Sequence, residues 1–356
     1  MDSLTQIVLG GAVAAAIAPG RHRRAALLAG AALGTVPDLD VIPVNLLLDD
    51  PIDRMTWHRG PSHSLFVLPF IAWLIWAFFK RQGGRVAEAP RRWWWAILLA
   101  LVTHPLLDAF TVYGTQLWWP LPVSPTMWSS IFIIDPMYTI WLVIACIAAW
   151  CLRWRPAAQT ALVAGLVLSS GYLAWSLLAK GMVDRDAART LAGLDLQDAP
   201  RMSTPTPLNT LLWRVLVMTP TGYLQAERSI FDGAAPLQFR AYPSNKAAEA
   251  EAARLPSARR LAWFDHGFQR AQVYGDDLVL TDLRMGSEPD YFFNYIVARR
   301  DAADRWQALR PTEAFAIPGA RSRVLQLRRI WTRIWHVPAP VGDQAASATP
   351  AINASK

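Results

Sequence analysis

Six apolar runs follow one another through the first half of the chain, and short polar loops separate them. The four strongest runs cover residues 65–79, 93–110, 131–152 and 157–178. A helix of ~20 apolar residues crosses a bilayer and satisfies its own backbone hydrogen bonds there. The composition agrees, because 53% of the residues are hydrophobic and 17% are charged, which is too apolar for an ordinary soluble protein. The sequence therefore predicts an α-helical polytopic membrane region with about six spans.

The first two runs, residues 4–18 and 25–36, are rich in Gly and Ala and are separated by the basic residues 21–24. Each is shorter than a full span. Two interpretations remain open, namely two tilted spans or one re-entrant hairpin, and the small residues favour close helix packing in either case. A cleaved signal peptide is not favoured, because the basic cluster follows the first apolar run instead of preceding it.

The basic residues of the helical region fall in alternate loops, at residues 21–24, 80–92 and 153–155. Cytoplasmic loops carry such an excess of Lys and Arg. The loops at 37–63 and 111–130 then face the other side of the membrane, together with everything after residue 180. This distribution also accounts for the net charge of +8, so nucleic acid is not an expected partner and the lipid bilayer is.

Three polar motifs lie at the outward ends of the apolar runs. They are Pro-Asp-Leu-Asp at 37–40, Trp-His-Arg-Gly-Pro-Ser-His-Ser at 57–64 and Thr-His-Pro-Leu-Leu-Asp at 103–108. Together they place six metal-ligating side chains on one membrane face: Asp38, Asp40, His58, His63, His104 and Asp108. Ionisable groups at membrane depth are costly and count as functional candidates.

Histidine nitrogens and carboxylate oxygens form a ligand set suited to zinc, manganese or iron. Asp38 and Asp40 follow a proline in a turn or extended segment, where residues two apart point the same way. His104 and Asp108, four apart on a helix, share a face. Each motif alone has a simpler explanation as a cap, an interfacial histidine or an intrahelical hydrogen bond. Their combination predicts a divalent metal site, with zinc as the first choice.

Two further residues are assigned to this site. Arg59 is a candidate catalytic residue that binds a phosphate or pairs with a carboxylate, and Asp38 or Asp40 is a candidate base. Asp135 follows an apolar stretch on the same membrane face and precedes Pro136. It is either a simple helix cap or, as we predict, a further ligand or a partner that orients a histidine. Cys146 and Cys151 lie in one apolar run and suggest no metal site.

These motifs resemble the YdjM-type inner-membrane metal-dependent hydrolases. The resemblance rests on Met-Asp-Ser-Leu-Thr-Gln at 1–6, the three motifs above, Tyr-Gly-Thr at 113–115 and Ile-Asp-Pro at 134–136. It covers residues 1–180 densely and extends weakly to 207–214. It implies a multi-pass protein of the bacterial inner membrane and a hydrolase of unsettled substrate. A more distant likeness to zinc-dependent phospholipase C and P1-type nucleases implies phosphoester chemistry.

After residue 180 the pattern changes to short runs of β-branched and aromatic residues broken by Gly and Pro, which predicts a small mixed α/β domain over residues 181–337. Strands are predicted at 211–219, 223–231, 272–284 and 291–299, and helices at 247–254 and 257–268. A basic amphipathic helix at 319–335 would lie on headgroups or pack on the domain core. Residues 338–356 are expected to be disordered.

Two classes of function fit these observations. The first is a membrane hydrolase in which a metal activates water against a phosphoester or lipid-related substrate. The second is a metal-binding transporter or sensor that uses the same ligands. A transporter would favour a midplane site between repeated halves, and the sequence shows no such repeat, so the hydrolase is preferred.

Overall fold

A computed structural model describes residues 1–317 and 323–336. Its N-terminal region is helical, and a mixed α/β region follows. The helices of the first region are α1 Ser3–Ile17, α2 Arg23–Thr35, α3 Val41–Leu47, α4 Pro51–Trp57, α5 Val67–Arg81, α6 Gly84–Glu88, α7 Pro90–Ala109, α8 Pro136–Leu152 and α9 Pro156–Ala192. Two short 3-10 turns, Pro37–Asp40 and Pro61–His63, carry the polar motifs.

Helices α1 and α2 form an antiparallel hairpin that glycines hold at very short range. A Cβ atom added to Gly10 would lie 2.3 Å from the carbonyl oxygen of Gly30, and one added to Gly34 would lie 2.4 Å from that of Gln6. Only glycine permits this backbone approach, which is typical of helix packing in membranes. The hairpin packs on α7 and α8, so the end of α2 lies beside the ligands that α7 carries.

The prediction of about six spans is not supported. Within the described residues, two helical stretches are long and apolar enough to cross a bilayer, Gly20–Leu47 and Pro156–Ala192. A third arises if Pro51–His63 and Val67–Arg81, which meet at 55°, form one broken span. Helices α1 and α8 are apolar but have 15 and 17 residues. At about 1.5 Å per residue they reach about 22–26 Å, less than the ~30 Å hydrocarbon core.

The mixed α/β region contains two four-stranded antiparallel sheets in the described residues, each with its strands in sequence order. The first sheet contains β1 Arg201–Pro205, β2 Leu212–Thr219, β3 Gly222–Ser229 and β4 Arg240–Pro243. Next come helices α10 Lys246–Ala252 and α11 Pro256–Phe264. The second sheet contains β5 Gln269–Tyr274, β6 Asp277–Ser287, β7 Asp290–Arg300 and β8 Trp306–Ala314.

The predicted strands differ from this pattern in two ways. One predicted strand is a hairpin of two strands, and three of the observed strands have no predicted counterpart. The run at 272–284 was expected to be one strand, but Gly275, at φ +60°, turns the chain between β5 and β6. Strands β1, β4 and β8 were not predicted. Their apolar content is low. They are held by pairing with β2, β3 and β7 respectively, so their own residues do not identify them as strands.

Helix α9 joins the two regions, because it continues beyond residue 180 to Ala192. Its last turns bury Val183, Ala187 and Leu191 against Trp213 of the first sheet. The chain ends its described part with α12 Arg323–Trp335, which buries Ile334 and leaves Trp331 exposed. The predicted disordered tail, residues 338–356, and the start of the predicted final helix, residues 319–322, lie outside the described residues.

Candidate metal centre

Four of the six predicted ligands converge on one point. Asp38 comes from the 3-10 turn after α2, His63 from the turn before α5, and His104 and Asp108 from adjacent turns of α7. The side chains of His63, His104 and Asp108 are fully buried, whereas that of Asp38 is 26% exposed. The open side of the centre therefore lies at Asp38.

The ligand atoms have the spacing of a tetrahedral metal site. His63 Nε2 and His104 Nε2 each lie 3.4 Å from Asp38 Oδ1, and they lie 3.4 and 3.3 Å from Asp108 Oδ2. The two histidine nitrogens are 3.2 Å apart. Tetrahedral bonds of about 2.0–2.2 Å place neighbouring ligand atoms about 3.3–3.6 Å apart. Four of these five separations lie in that range, and the distance between the two histidine nitrogens lies just below it, so the spacing is compatible with a zinc-like ion at the centre.

Hydrogen bonds on the far sides of the rings fix which nitrogen faces the centre. His104 Nδ1 lies 2.6 Å from the carbonyl oxygen of Gly34, which accepts only, so Nδ1 carries the proton. Ser62 Oγ donates to Asp40 Oδ2 at 2.5 Å and lies 2.9 Å from His63 Nδ1. It therefore accepts from that nitrogen, and both Nε2 atoms present lone pairs to the centre.

The two carboxylates also present unsatisfied oxygens. Asp38 Oδ1 and Asp108 Oδ2 are buried and have no hydrogen-bond partner. Two histidine nitrogens and two carboxylate oxygens thus face one another, with Arg59 Nε beside one of the oxygens, and a cation in the space between them would stabilise this arrangement. This donor set fits a divalent metal ion, with zinc favoured by the mixed nitrogen and oxygen ligands.

The second oxygen of Asp108 is held by the N-terminal helix. Gln6 Nε2 donates to Asp108 Oδ1 at 3.1 Å, and the amino group of Met1 contacts the same oxygen. Arg59 Nε lies 3.3 Å from Asp108 Oδ2. Of the two roles considered for Arg59, the structure shows the pairing with a carboxylate, and its guanidinium also lies 4.8 Å from the ring centre of Tyr113.

Asp38 and Asp40 do not point the same way, contrary to the expectation for an extended segment. Residues 37–40 form a 3-10 turn, in which side chains two positions apart diverge, since three residues complete a turn. Asp38 faces the four-ligand centre. Asp40 instead binds His58, with Oδ1 2.7 Å from Nδ1, and accepts from the backbone nitrogen of Arg59 at 3.0 Å.

His58 lies beside the centre but is not one of the four converging ligands. Its ring is 6.0 Å from that of His63, and its side chain is 24% exposed. Arg59, the next residue, has a φ of +66°, which is uncommon for a residue with a side chain. This backbone conformation turns the chain so that His58 and Arg59 approach the centre from different directions.

Asp135 lies in a different hydrogen-bond network. One oxygen accepts from the backbone nitrogens of Met137 and Tyr138, at 3.1 and 3.4 Å, and the other accepts from the Tyr172 hydroxyl at 3.0 Å. It caps α8, and no contact to the histidines of the centre is found among the described residues. Its assignment as a ligand or an orienting partner stays a prediction, and these contacts favour the capping role.

Sequence reasoning missed two residues that support the centre. Gln6 lies in the opening motif and Ser62 lies in the motif at 57–64, and the sequence alone assigns neither of them a role. A polar Gln within an otherwise apolar helix is the signal that could have identified Gln6. No local pattern distinguishes Ser62, because its link between Asp40 and His63 depends on the fold of two separate turns.

The comparisons with known proteins agree with a membrane location. A family model described as "YdjM inner membrane protein" matches residues 1–183, just over half of the 356 residues. The inner membrane protein YbcI of Escherichia coli (strain K12) is 33% identical over 98 residues, which are 28% of this chain and 54% of that protein. The matched part thus spans about half the length of this curated relative. No solved structure matches the chain.

Proposed function

The chain belongs to the YdjM inner membrane protein family, and from this membership we propose that it is a membrane-bound, metal-dependent hydrolase. The observation that carries the proposal is the convergence of two imidazole nitrogens and two carboxylate oxygens, all within 4.8 Å of one another, with five of their separations at 3.2–3.4 Å. A divalent ion bound there would supply Lewis-acid chemistry and lower the pKa of water. Phosphoester substrates are proposed from the distant likeness to zinc-dependent phospholipase C and P1-type nucleases, and lipid-related substrates because the centre lies in the helical region of a membrane protein.

The residues around the centre divide the remaining tasks. His63 and His104 are oriented by the Asp40–Ser62 pair and by the Gly34 carbonyl. Asp108 is held by Gln6 and Arg59. These contacts fix the ligands before a substrate arrives, which is what a preorganised site requires.

His58 is the proposed proton-transfer residue. Asp40 holds its Nδ1 at 2.7 Å, so the other ring nitrogen is the one available for exchange with a substrate, and the ring lies 6.0 Å from that of the ligand His63. A histidine oriented by a carboxylate in this way is a common general acid or base. The earlier assignment of Asp38 or Asp40 as base is thereby replaced by a supporting role for Asp40.

Metal analysis followed by a substrate screen tests the proposal. The purified full chain is dialysed against metal-free buffer, its zinc, manganese and iron contents are measured, and it is incubated with phospholipids, lipid diphosphates and phosphodiesters. Turnover that a chelator removes and zinc restores supports a hydrolase. Bound metal without turnover on any of the three classes favours the transporter or sensor, and absence of bound metal would refute both.

The sidedness of the site is part of the proposal. We propose from the alternation of basic loops that the centre and the mixed α/β region face the non-cytoplasmic side of the inner membrane, a topology that requires the shorter apolar helices to cross the bilayer as well. A reporter that is active only in the cytoplasm, fused after the last residue, should stay silent. A bright reporter would invert this topology and would place the substrate in the cytoplasm.

A further inference from the structure

A cavity of about 480 Å³ lies between the two sheets, away from the ligands of the metal centre. The first sheet contributes the end of β1 and parts of β2 and β3, and the second contributes the β6–β7 hairpin. Residues 315–317 and α12 close another side. The connection between α7 and α8 reaches it with Val112 and Phe132. Its volume falls in the ~300–1,000 Å³ range of small-molecule sites.

Most of the cavity wall is apolar. Its apolar side chains include those of Val112, Phe132, Met285, Tyr291, Phe315 and Ile330. A wall of this kind favours a hydrocarbon chain, since each buried methylene adds to the binding free energy.

One buried cation of the wall has a donor without a partner. Arg214 is 4% exposed, and its Nη2 donates to the carbonyl oxygen of Arg284 at 2.6 Å. Its Nη1 is buried and has no hydrogen-bond partner. An unsatisfied charged donor is costly in a folded protein, so its presence on the wall of a cavity points to a ligand that carries an anion.

The other charged groups on the wall have partners. Glu227, which faces Arg214 across the strand pair, binds Arg329 at 3.1 Å instead. Arg284 pairs with Asp282 at 2.7 Å, and Asp290 also has an interaction partner. Arg214 also lies 6.0 Å from the ring centre of Tyr291, so its Nη1 is the charged donor on this wall, among the described residues, that has no hydrogen-bond partner.

We propose that the cavity binds an anionic membrane lipid, with the phosphate of the headgroup on Arg214 and an acyl chain along the apolar wall. The position of the cavity favours a lipid over a soluble anion. Phe132 lies three residues before Asp135, which caps the apolar helix α8. The wall is therefore continuous in sequence with the start of a membrane-associated segment. Ile134, two residues after Phe132, is 49% exposed, and Phe292, on the cavity wall, is 63% exposed. The site is independent of any hydrolase activity.

Native mass spectrometry of the full chain in a neutral detergent tests this site. Phosphatidylglycerol is titrated against wild type, Arg214→Gln and Ile330→Trp, with phosphatidylcholine and inorganic phosphate as alternative ligands. We expect one tightly retained phosphatidylglycerol in wild type. Arg214→Gln should weaken it by about tenfold or more, as the loss of a charged hydrogen bond does, and should abolish the preference over phosphatidylcholine. Ile330→Trp should lose the lipid because the indole fills the cavity.

Arg201→Gln is the matched control, since Arg201 is an exposed arginine of the same sheet that does not line the cavity. It should retain the lipid as wild type does.

Thermal unfolding of all variants identifies any that are misfolded, and Arg214→Lys, which keeps the charge, should restore part of the preference. Equal retention of phosphatidylglycerol by wild type, Arg214→Gln and Ile330→Trp would overturn the proposal, as it would mark the lipid as annular only. Displacement by inorganic phosphate at the same concentration would also overturn it, in favour of a plain anion site.

Discussion

Two clusters of buried charge, one in the helical region and one in the second sheet, differ in the groups that neutralise their buried carboxylates. In the metal centre, Asp38 and Asp108 turn oxygens toward histidine lone pairs, and these oxygens have no hydrogen-bond donor. In the sheet, Arg284 fills the equivalent place beside Asp282. Its Nη2 and Nε bind that carboxylate at 2.7–3.1 Å, and its Nη1 donates to the carbonyl oxygens of Tyr113 and Phe264.

The comparison shows why buried acids alone do not indicate a metal. The sheet cluster carries its own cation, and its second acid, Asp265, can stay neutral. Burial and the nearby Asp282 carboxylate raise the pKa of Asp265 well above its ordinary value. In the helical cluster, Arg59 and the amino group of Met1 both lie beside Asp108, and among the described residues neither an arginine, a lysine nor the amino terminus pairs with Asp38. This cluster keeps four ligand atoms at the spacing of a metal site, so the compensating charge is expected to come from outside.

The largest expected effect follows from removing a nitrogen ligand. His104→Ala, and separately His63→Ala, should reduce metal affinity by more than ~100-fold, beyond the loss typical of an orienting partner, and should abolish activity while the protein stays inserted. Metal content after dialysis is the measurement. His266→Ala is the control, because His266 lies near the sheet cluster and contacts Pro125. Full metal content in both ligand variants would remove the basis for the centre.

Breaking the sheet cluster should affect stability and leave metal binding alone. Asp282→Ala leaves Arg284 buried without its carboxylate, which costs about 3–5 kcal/mol. Denaturant unfolding in detergent measures the loss, and metal content should remain that of wild type. The control is Asp277→Ala on the same strand, whose pair with Arg299 is partly exposed and contributes less than ~1 kcal/mol. Loss of metal together with stability in Asp282→Ala would show that the two clusters are not separate.

Orientation of the ligands should have an intermediate effect. Ser62→Ala removes the link between Asp40 and His63 without removing a ligand, and it should lower metal affinity by ~10–100-fold. A competition titration with a zinc-binding dye gives the value. Ser64→Ala is the control, since Ser64 binds the Trp119 carbonyl and no histidine. An unchanged affinity in Ser62→Ala would mean that ring packing alone orients His63.

The raised pKa of Asp265 predicts that the stability of the protein falls as the pH rises. Because the folded state favours the protonated acid, its contribution to stability is complete below the unfolded pKa of ~3.9. It is lost as the pH rises through the folded pKa, by about 1.4 kcal/mol for each unit of difference between the two. Asp265→Asn should flatten this fall, which unfolding curves at several pH values would reveal. If the free energy of unfolding depended on pH in the same way in wild type and in Asp265→Asn, a neutral Asp265 would be contradicted.

The smallest effect is expected at Asp135. Asparagine caps a helix about as well as aspartate, so Asp135→Asn should change stability by less than ~1 kcal/mol and should leave metal content unchanged. Asp108→Asn, the same change within the centre, should lose metal. A loss of metal affinity in Asp135→Asn as large as that of Ser62→Ala would restore Asp135 to the site as an orienting partner.

The sequence alone determined the kinds of residue at the site and the helices that carry them. Apolar runs gave the positions of α1, α2, α5, α7, α8 and α9 to within a few residues, except where α8 begins later and α9 ends later, because each of these helices carries a continuous hydrophobic stretch of its own. The spacing of His104 and Asp108 placed them on one face, since four residues make about one helical turn. The strands β2, β3 and β7 followed from their own apolar and aromatic content.

Tertiary structure decided which of the six candidates meet. A 3-10 turn at residues 37–40 separates Asp38 from Asp40. The roles of Gln6, Ser62 and the Gly34 carbonyl also arise only when α1, α2 and α7 pack together. Their contacts join residues that are distant in the chain or lie in separate turns. Ligand orientation is set by such contacts, which no local pattern of residues encodes, whereas helix position is set by hydrophobicity that each segment carries itself.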